Sequence, residues 1–205
     1  MLTVKQANDL VGGLSAPSKM PCHSFSISAF RCITGSKLRR LANSVCSKCY
    51  ALKGRYVFPN VQAALDRRLS VLARALADTE FRGKFIAAMA FLINRSPWFR
   101  WHDSGDLQSA AHFALICDIA RATPNTLHWL PTKEPRFAKG DIPGNLIVRV
   151  SAPMIDQPAP NQPHTSTVVS DKNKATCRAF ERQGKCGPCR MCWDPAVKNI
   201  AYYKH

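Results

Sequence analysis

Four cysteines near the end of the sequence are spaced like the ligands of an iron–sulfur cluster. A zinc ion usually takes its ligands from two separate Cys-x2-Cys knuckles, because a tetrahedral ion needs them from different directions. Three closely spaced thiolates with a fourth elsewhere are instead typical of a [4Fe–4S] cluster. We therefore expect a cluster, with zinc as the alternative cofactor and free redox thiols as a third alternative. The four are Cys177, Cys186, Cys189 and Cys192, with Cys177 as the expected fourth ligand.

A second group of four cysteines near the start of the chain is less specific. Its members are Cys22, Cys32, Cys46 and Cys49. A Cys-x2-Cys pair such as the last two occurs in zinc sites, redox proteins and clusters, and the late cysteines favour a second [4Fe–4S] cluster here. If Cys22 or Cys32 is only structural, three ligands remain, and one iron is open to a substrate or to S-adenosylmethionine.

Length and composition indicate the compartment in which these thiols act. The chain has 205 residues, of which 46% are hydrophobic, so it can form a core without disulfides. It has no run of about 18 apolar residues and no secretory leader, so we expect a cytoplasmic protein that does not enter a membrane. Thiols stay reduced there, and nine cysteines then indicate metal binding more than disulfides. The ninth, Cys117, lies in a helical pattern and is expected to be a buried apolar residue.

The formal net charge is +16, and much of the excess surrounds the two cysteine groups. No acidic residue occurs between Leu10 and Leu65, and eight basic residues outnumber two acidic ones from Lys172 to His205. Basic surfaces of this kind bind nucleic acids and other polyanions, although no known nucleic-acid-binding motif is present. Two cysteine-ligated cubes carry about −2 each, so part of the charge balances the clusters. The early basic residues are Lys19, Arg31, Lys37, Arg39, Arg40, Lys48, Lys53 and Arg55.

Apolar runs that alternate with helical patterns predict an α/β fold with a parallel sheet and helices outside. We expect a complete or partial (βα) barrel of the TIM type, with a long cysteine-bearing loop near the N-terminus. Residues 1–205 are expected to form one domain, with the cysteine-rich segment 171–205 packed on it. The expected strands are 25–28, 98–102, 126–132, 145–152 and 165–170, and the main helices are 61–76 (with Asn60 as its N-cap), 81–92 and 107–122.

Polar residues after the predicted strands form the expected active site, because the carboxyl ends of parallel strands meet at one edge. His102, Asp103 and Asp106 follow one strand and could carry out acid–base chemistry. Lys133 and Arg149 lie at neighbouring strands and could bind an anionic substrate. Each role has a plainer alternative: Asp106 fits a helix N-cap, His102 a hydrogen-bonded strand end, and the two cations fit ion pairs with the aspartates.

Several stretches together resemble the phage gene product 88 family. They are MPCHSFSISAFRCITGSK, SVCSKCYALKGRYVFPNVQAALDRRL and FRWHDSGDLQS, and the similarity extends to CGPCRMCWDP. This family in turn resembles radical-SAM-like phage proteins, which share a Cys-x2-Cys-Tyr-Ala element, as at 46–51, and a strand end like LPTKEP at 130–135. The resemblance implies a (βα) barrel, a [4Fe–4S] cofactor and the host cytoplasm as the location.

The sequence departs from the radical-SAM pattern in two places. The usual Cys-x3-Cys-x2-Cys run, with an aromatic before its last cysteine, is replaced by Cys32-x13-Cys46-x2-Cys49 with Tyr50 after it. HDSGD stands where a Gly-Gly-Glu stretch would follow the next strand. The fold and the cluster therefore carry over better than the S-adenosylmethionine chemistry.

Three functions fit these patterns. The first is a radical-SAM-like enzyme with one open iron and a nucleic-acid or nucleotide substrate. The second is an electron-transfer or redox-sensing protein whose clusters are fully ligated by cysteine and reduced by an electron donor. The third is a nucleic-acid-binding protein in which clusters or zinc are structural. Three cysteines at one cluster favour the first function, whereas eight for two clusters argue against it.

Overall fold

A six-stranded, all-parallel β-sheet forms the centre of the protein, and the computed structural model describes residues 1–204. Each strand pairs with the next one along the chain, which is the strand order found along part of a (βα) barrel. The predicted α/β class with a parallel sheet is confirmed, and within the described residues the sheet is open. The strands are β1 (Ser24–Phe25), β2 (Trp98–Trp101), β3 (Leu127–Thr132), β4 (Leu146–Ile155), β5 (Thr165–Val169) and β6 (Asn199–Tyr203).

Five α-helices accompany the sheet, and side-chain caps fix where three of them begin. Thr3 and Gln6 form a capping box at the first helix. The side chains of Asp78 and Ser109 accept hydrogen bonds from free backbone amides at the starts of the fourth and fifth helices. None of the helices in residues 1–204 combines the length and apolarity that crossing a bilayer requires. They are α1 (Val4–Val11), α2 (Ile33–Leu38), α3 (Pro59–Ala77), α4 (Thr79–Ile93) and α5 (Ala110–Arg121).

The starts of the three predicted helices differ from the prediction, and α4 begins at Thr79, two residues earlier than expected. Phe58, not Asn60, is the N-cap of α3, and Pro59 opens the helix because its ring suits the first turn. The helix α5 starts later than expected because Ser109 supplies its cap, so Asp106 is not an N-cap residue. The side chain of Asp106 is therefore engaged elsewhere.

The helices bury one face of the sheet. Side chains alternate between the two faces along a strand, and the register of the first strands puts Phe25, Trp101 and Leu130 on the same face. There they join the main hydrophobic core with Phe85 of α4 and Ile116 of α5. Burial of this apolar surface holds the helices against the sheet.

The opposite face of the sheet carries the C-terminal cysteines. Trp129 and Arg149 point to this face, and the irregular chain between β5 and β6 packs on it. This chain includes short 3-10 helices at Arg178–Arg182 and Met191–Trp193. The cysteine-rich segment is thus the connection between the last two strands, because β6 follows it and completes the sheet.

Arg149 fixes this connection to the sheet. Its side chain is fully buried and donates four hydrogen bonds of 2.8–3.0 Å to backbone carbonyls. A buried guanidinium needs acceptors of this kind in place of water. The predicted substrate-binding role of Arg149 finds no support in these contacts and stays a prediction. The four acceptors are the carbonyls of Met191, Cys192, Asp194 and Val197.

Candidate functional site

Three of the early cysteines lie together over the carboxyl edge of the sheet. Cys32 is the N-cap residue of α2, and Cys46 and Cys49 lie in the turns that follow this helix. The position that a Cβ would occupy at Gly35 is 3.6 Å from the sulfur of Cys32 and 3.6 Å from that of Cys46. Burial raises the pKa of Cys32 to about 12, and the charges of Cys49 and Cys46 add to the shift. These contacts place the three thiols at one site.

Hydrogen bonds to residues at the ends of three neighbouring strands hold this cysteine loop, residues 32–58, on the edge of the sheet. The Tyr50 hydroxyl donates to the carbonyl of Asp103, just after β2. The carboxylate of Glu134, just after β3, accepts the amide of Thr34 in α2 at 2.7 Å. The last amide of β4 donates to the carbonyl of Asn43 at 2.9 Å. The loop therefore crosses the carboxyl ends of three neighbouring strands.

Asp103 is the buried anchor of this edge. One carboxylate oxygen accepts the hydroxyls of Ser24 and Ser26, and the other accepts the hydroxyl of Tyr56. Burial by itself raises the pKa of Asp103, but Arg100 and these three hydroxyls outweigh it and lower the pKa below its usual value. Asp103 is thus an ionised, fully engaged carboxylate that ties β1 and the loop to β2. Its predicted catalytic role stays a prediction, since its contacts indicate positioning.

Asp106 has the opposite titration behaviour. Its carboxylate accepts the Thr132 hydroxyl at 2.6 Å and the amides of Leu107 and Lys133, each at 2.8 Å. Burial outweighs these bonds and raises the pKa of Asp106 from 3.8 to about 6. Two carboxylates whose pKa values are driven apart are the usual arrangement for acid–base chemistry. Asp106 is thus a weaker acid than Asp103, and its predicted catalytic role stays a prediction.

Lys133 is close enough to Asp106 and the three thiols for their charges to act on it. Its ammonium donates to the carbonyl of Ala152 at 2.8 Å. Burial lowers the pKa of Lys133, while the negative charges of Cys46 and Asp106 favour its protonated form. The predicted substrate-binding lysine and the predicted acid–base aspartate therefore share the cysteine site.

His102 lies apart from this cluster, in contact with His112 of α5 on the helical face. The ring centroids are 5.2 Å apart, and both side chains are buried. Burial lowers the pKa of His112 to about 3 and that of His102 well below 6.5, so both rings are neutral at pH 7. These contacts give no support to the predicted catalytic role of His102, which stays a prediction.

Cys22 does not join the other early cysteines. It is buried with Trp129 and Trp193 on the face opposite the helices. The early group expected from the sequence therefore contributes three thiols to the edge of the sheet. Cys117 is buried in the core beside the helices, as its helical surroundings predict.

The donor set at the edge fits an iron–sulfur cluster. A Cβ at Gly35 would lie 2.9 Å from the Cβ of Cys32, so the close approach of this residue to the thiols requires glycine. Three cysteine thiols at one site are suitable ligands for a [4Fe–4S] cube, in which Cys32, Cys46 and Cys49 would be the ligands. No three His, Cys, Asp or Glu side chains of residues 1–204 already stand in the arrangement of a single-ion site.

The sequence prediction does not include the residues that position this site. Ser24 and Ser26 could have been found, because alternate residues of a strand share a face and bring two hydroxyls together. Tyr56 and Glu134 carry no such signal, since their partners are distant in the sequence. Arg100, which contacts the Tyr50 hydroxyl at 3.4 Å, is also outside the prediction.

Comparison with known proteins gives one family match. A family model described as gene product 88 matches residues 2–195, which is nearly the whole chain. This match confirms the resemblance to that phage family in the sequence. No curated protein and no solved structure matches the chain.

We expect the wild type to lose stability relative to Asp106→Asn as the pH rises from about 4 to about 6. The folded pKa of about 6 lies above the ordinary value of 3.8, so the folded state retains its proton longer than the unfolded state. Ionisation in this window therefore lowers the free energy of unfolding, by roughly 2–3 kcal/mol in total. Thermal unfolding at several pH values measures this, with Asp9→Asn as an exposed control. A difference between wild type and Asp106→Asn that does not vary with pH would contradict the raised pKa.

Proposed function

Because the chain belongs to the gene product 88 family and gathers three thiols at the edge of its sheet, we propose that it is a radical-SAM-like iron–sulfur enzyme. Its proposed substrate is a nucleic acid or nucleotide in the host cytoplasm. The observation that carries the proposal is the position of Cys32, Cys46 and Cys49 at the carboxyl ends of parallel strands, with Cys22 elsewhere. Three thiolates bind three irons of a cube and leave the fourth free.

The residues around the thiols support this chemistry. A cluster held by the three cysteines would supply an electron to S-adenosylmethionine bound at its open iron. Asp106 can take up or release a proton near pH 6, and its charge acts on Cys32 and Cys46. Lys133 offers a partly buried cation for a carboxylate or phosphate group. The hydrogen bonds of Asp103 keep the loop in place while these groups act.

The charge around the site supports a polyanionic substrate. Six basic side chains from the cysteine loop and the residue just before it are exposed, and none of them forms an ion pair within residues 1–204. Unpaired cations near an active site attract phosphates and speed the encounter with them. The six are Arg31, Lys37, Arg40, Lys48, Lys53 and Arg55.

Exposed aromatic rings favour a single-stranded nucleic acid in particular. Among the exposed large apolar side chains of residues 1–204, the aromatic ones are Phe30, Tyr50 and Phe58. All three lie in or beside the cysteine loop, interleaved with its basic residues. Proteins that bind single strands combine aromatic rings, on which bases stack, with cations that follow the backbone. The same surface would also serve a nucleic-acid-binding protein with structural clusters, and the reaction tests separate the two.

We expect the reduced, iron-loaded protein to convert S-adenosylmethionine to 5′-deoxyadenosine and to change its EPR signal when S-adenosylmethionine is added. Cys46→Ala should abolish both effects and remove about four iron per chain, because a ligand of the open cluster is lost. Cys117→Ala, at a buried cysteine outside the site, is the matched control. An iron-loaded protein that does not respond to S-adenosylmethionine would support the electron-transfer hypothesis, and a colourless zinc protein would exclude the cluster.

Gly35→Ala should lower the iron content of this cluster and should not give the gain in stability that alanine normally brings to a helix. A Cβ there would press on Cys32, whereas alanine in place of glycine in a helix is otherwise favourable by about 0.5–1 kcal/mol. Gly83→Ala is the matched control, because that helical glycine has no atom within 4 Å of its added Cβ. Iron analysis and thermal unfolding measure the two effects. An unchanged iron content in Gly35→Ala would contradict the assignment of a cluster to the three cysteines beside Gly35.

Single-stranded oligonucleotides should bind, with an affinity that falls steeply as salt is added, because phosphate contacts release counterions. Phe58→Ala should weaken this binding about tenfold, since a stacked base contributes roughly 1–3 kcal/mol. Ile142→Ala, which removes an exposed side chain away from the cysteine loop, is the control. Fluorescence anisotropy measures both variants, and binding that is absent or insensitive to salt would exclude a nucleic-acid substrate.

A further inference from the structure

Cys22 lies on the face of the sheet that carries the C-terminal cysteines. It is 8% exposed and belongs to a small cluster with Trp129 and Trp193. Cys192 and Tyr202 are half-buried against the same cluster. An early cysteine and a late one therefore share one apolar environment, although most of the chain separates them in the sequence.

Backbone contacts bring the segment before Cys22 against the late cysteines. The amide of Cys186 donates to the carbonyl of Lys19 at 3.0 Å. Gly184 has a φ of 82°, and a Cβ there would lie 2.9 Å from the ammonium of Lys19. The positive φ is the reason that this position of the loop before Cys186 favours glycine. The N-terminal segment is fitted to this loop through both backbone and side-chain contacts.

The other late cysteines meet on the same side. The sulfur of Cys192 is 3.3 Å from the Tyr202 hydroxyl, and Cys177 forms a parallel bridge with Tyr202 of β6. Cys189 follows the Cys186 turn, where its amide donates to the carbonyl of Cys186 at 3.3 Å. The fold therefore brings Cys177, Cys186, Cys189 and Cys192 around one region next to Cys22.

The charges in this region suit a group of thiolates. Arg100, Arg190 and Cys186 are all close enough to Cys22 for their charges to act on it. The same two arginines act on Cys186. Each guanidinium lies over a tryptophan ring, Arg100 over Trp129 at 4.4 Å and Arg190 over Trp98 at 4.5 Å. Two fixed cations can balance the negative charge that a metal–thiolate centre brings into this region.

We infer that Cys22 is the fourth thiol ligand of the C-terminal metal–thiolate centre, beside Cys186, Cys189 and Cys192 and in the place that the sequence assigns to Cys177, because a cube or a zinc ion takes four thiolates. It is then not a ligand of the site at the edge of the sheet. This centre joins the N-terminal segment to the connection between β5 and β6, so one metal group links the two ends of the chain. The assignment differs from the grouping by sequence, which places Cys22 with Cys32, Cys46 and Cys49. It does not depend on whether S-adenosylmethionine binds at the other site.

The test uses the full chain with Cys32, Cys46 and Cys49 replaced by alanine, so that only the C-terminal centre remains. The protein is purified without oxygen, and its iron, sulfide and zinc are measured together with its EPR spectrum. Adding Cys22→Ala should at least halve the bound metal, iron or zinc, relative to the triple variant. Cys117→Ala, at another buried cysteine, should leave the metal content unchanged.

Cys22→Ser is the second variant, because it keeps the size of the side chain and an oxygen that can still bind metal. It should retain the fold, as judged by circular dichroism, and shift the EPR spectrum or lower the metal content. Folded Cys22 variants with the full metal content and an unchanged spectrum would overturn the assignment. Because the other three early cysteines are absent, this result is independent of the S-adenosylmethionine test.

Discussion

The buried carboxylate of Asp103 determines where the cysteine loop lies. A charge that leaves water is stable only where hydrogen-bond donors replace the water. The donors are two hydroxyls of the first strand region, Ser24 and Ser26, and one from the loop, Tyr56. Because these groups come from separate parts of the chain, one charge fixes the first strand, the loop and the end of β2 relative to one another. The Glu134 contact to Thr34 holds α2 at the same edge.

The positive charge of Arg100 acts both on this edge and on the other face of the sheet. Its guanidinium lies over the ring of Trp129 and contacts the Tyr50 hydroxyl, and its charge acts on both Asp103 and Cys22. A single cation therefore favours the ionised carboxylate at the edge and counters thiolate charge beyond it. This changes the meaning of the net charge of +16, since some of the positive charge acts inside the protein. The exposed cations of the loop are the part that remains for a partner.

The sequence predicted the strands well, because short apolar runs bounded by turn residues are typical of buried strands. It could not predict that Cys22 lies with Cys186, since ligand-spacing rules describe residues that are close in the chain. Arg149 shows a second limit: its place in a strand is predicted, but the carbonyls that surround it belong to the segment after β5. The first strand is predicted at 25–28 but covers Ser24–Phe25 in the structure, where the hydroxyls of Ser24 and Ser26 hold it to Asp103.

The connections explain why thiol chemistry and folding are coupled in this protein. In most α/β units a helix covers the crossover between parallel strands, but residues 133–198 contain no α-helix. The chain between β5 and β6 is irregular, and few of its side chains are buried, Trp193 being the largest. Arg149 satisfies four of its carbonyls, which replaces part of the hydrogen bonding that a helix would provide. Metal binding by thiols contributes directly to folding in segments with small cores. A metal centre on this face would therefore stabilise the last connection as a packed helix does elsewhere, and Cys22 as a ligand would extend that stabilisation to the N-terminal segment.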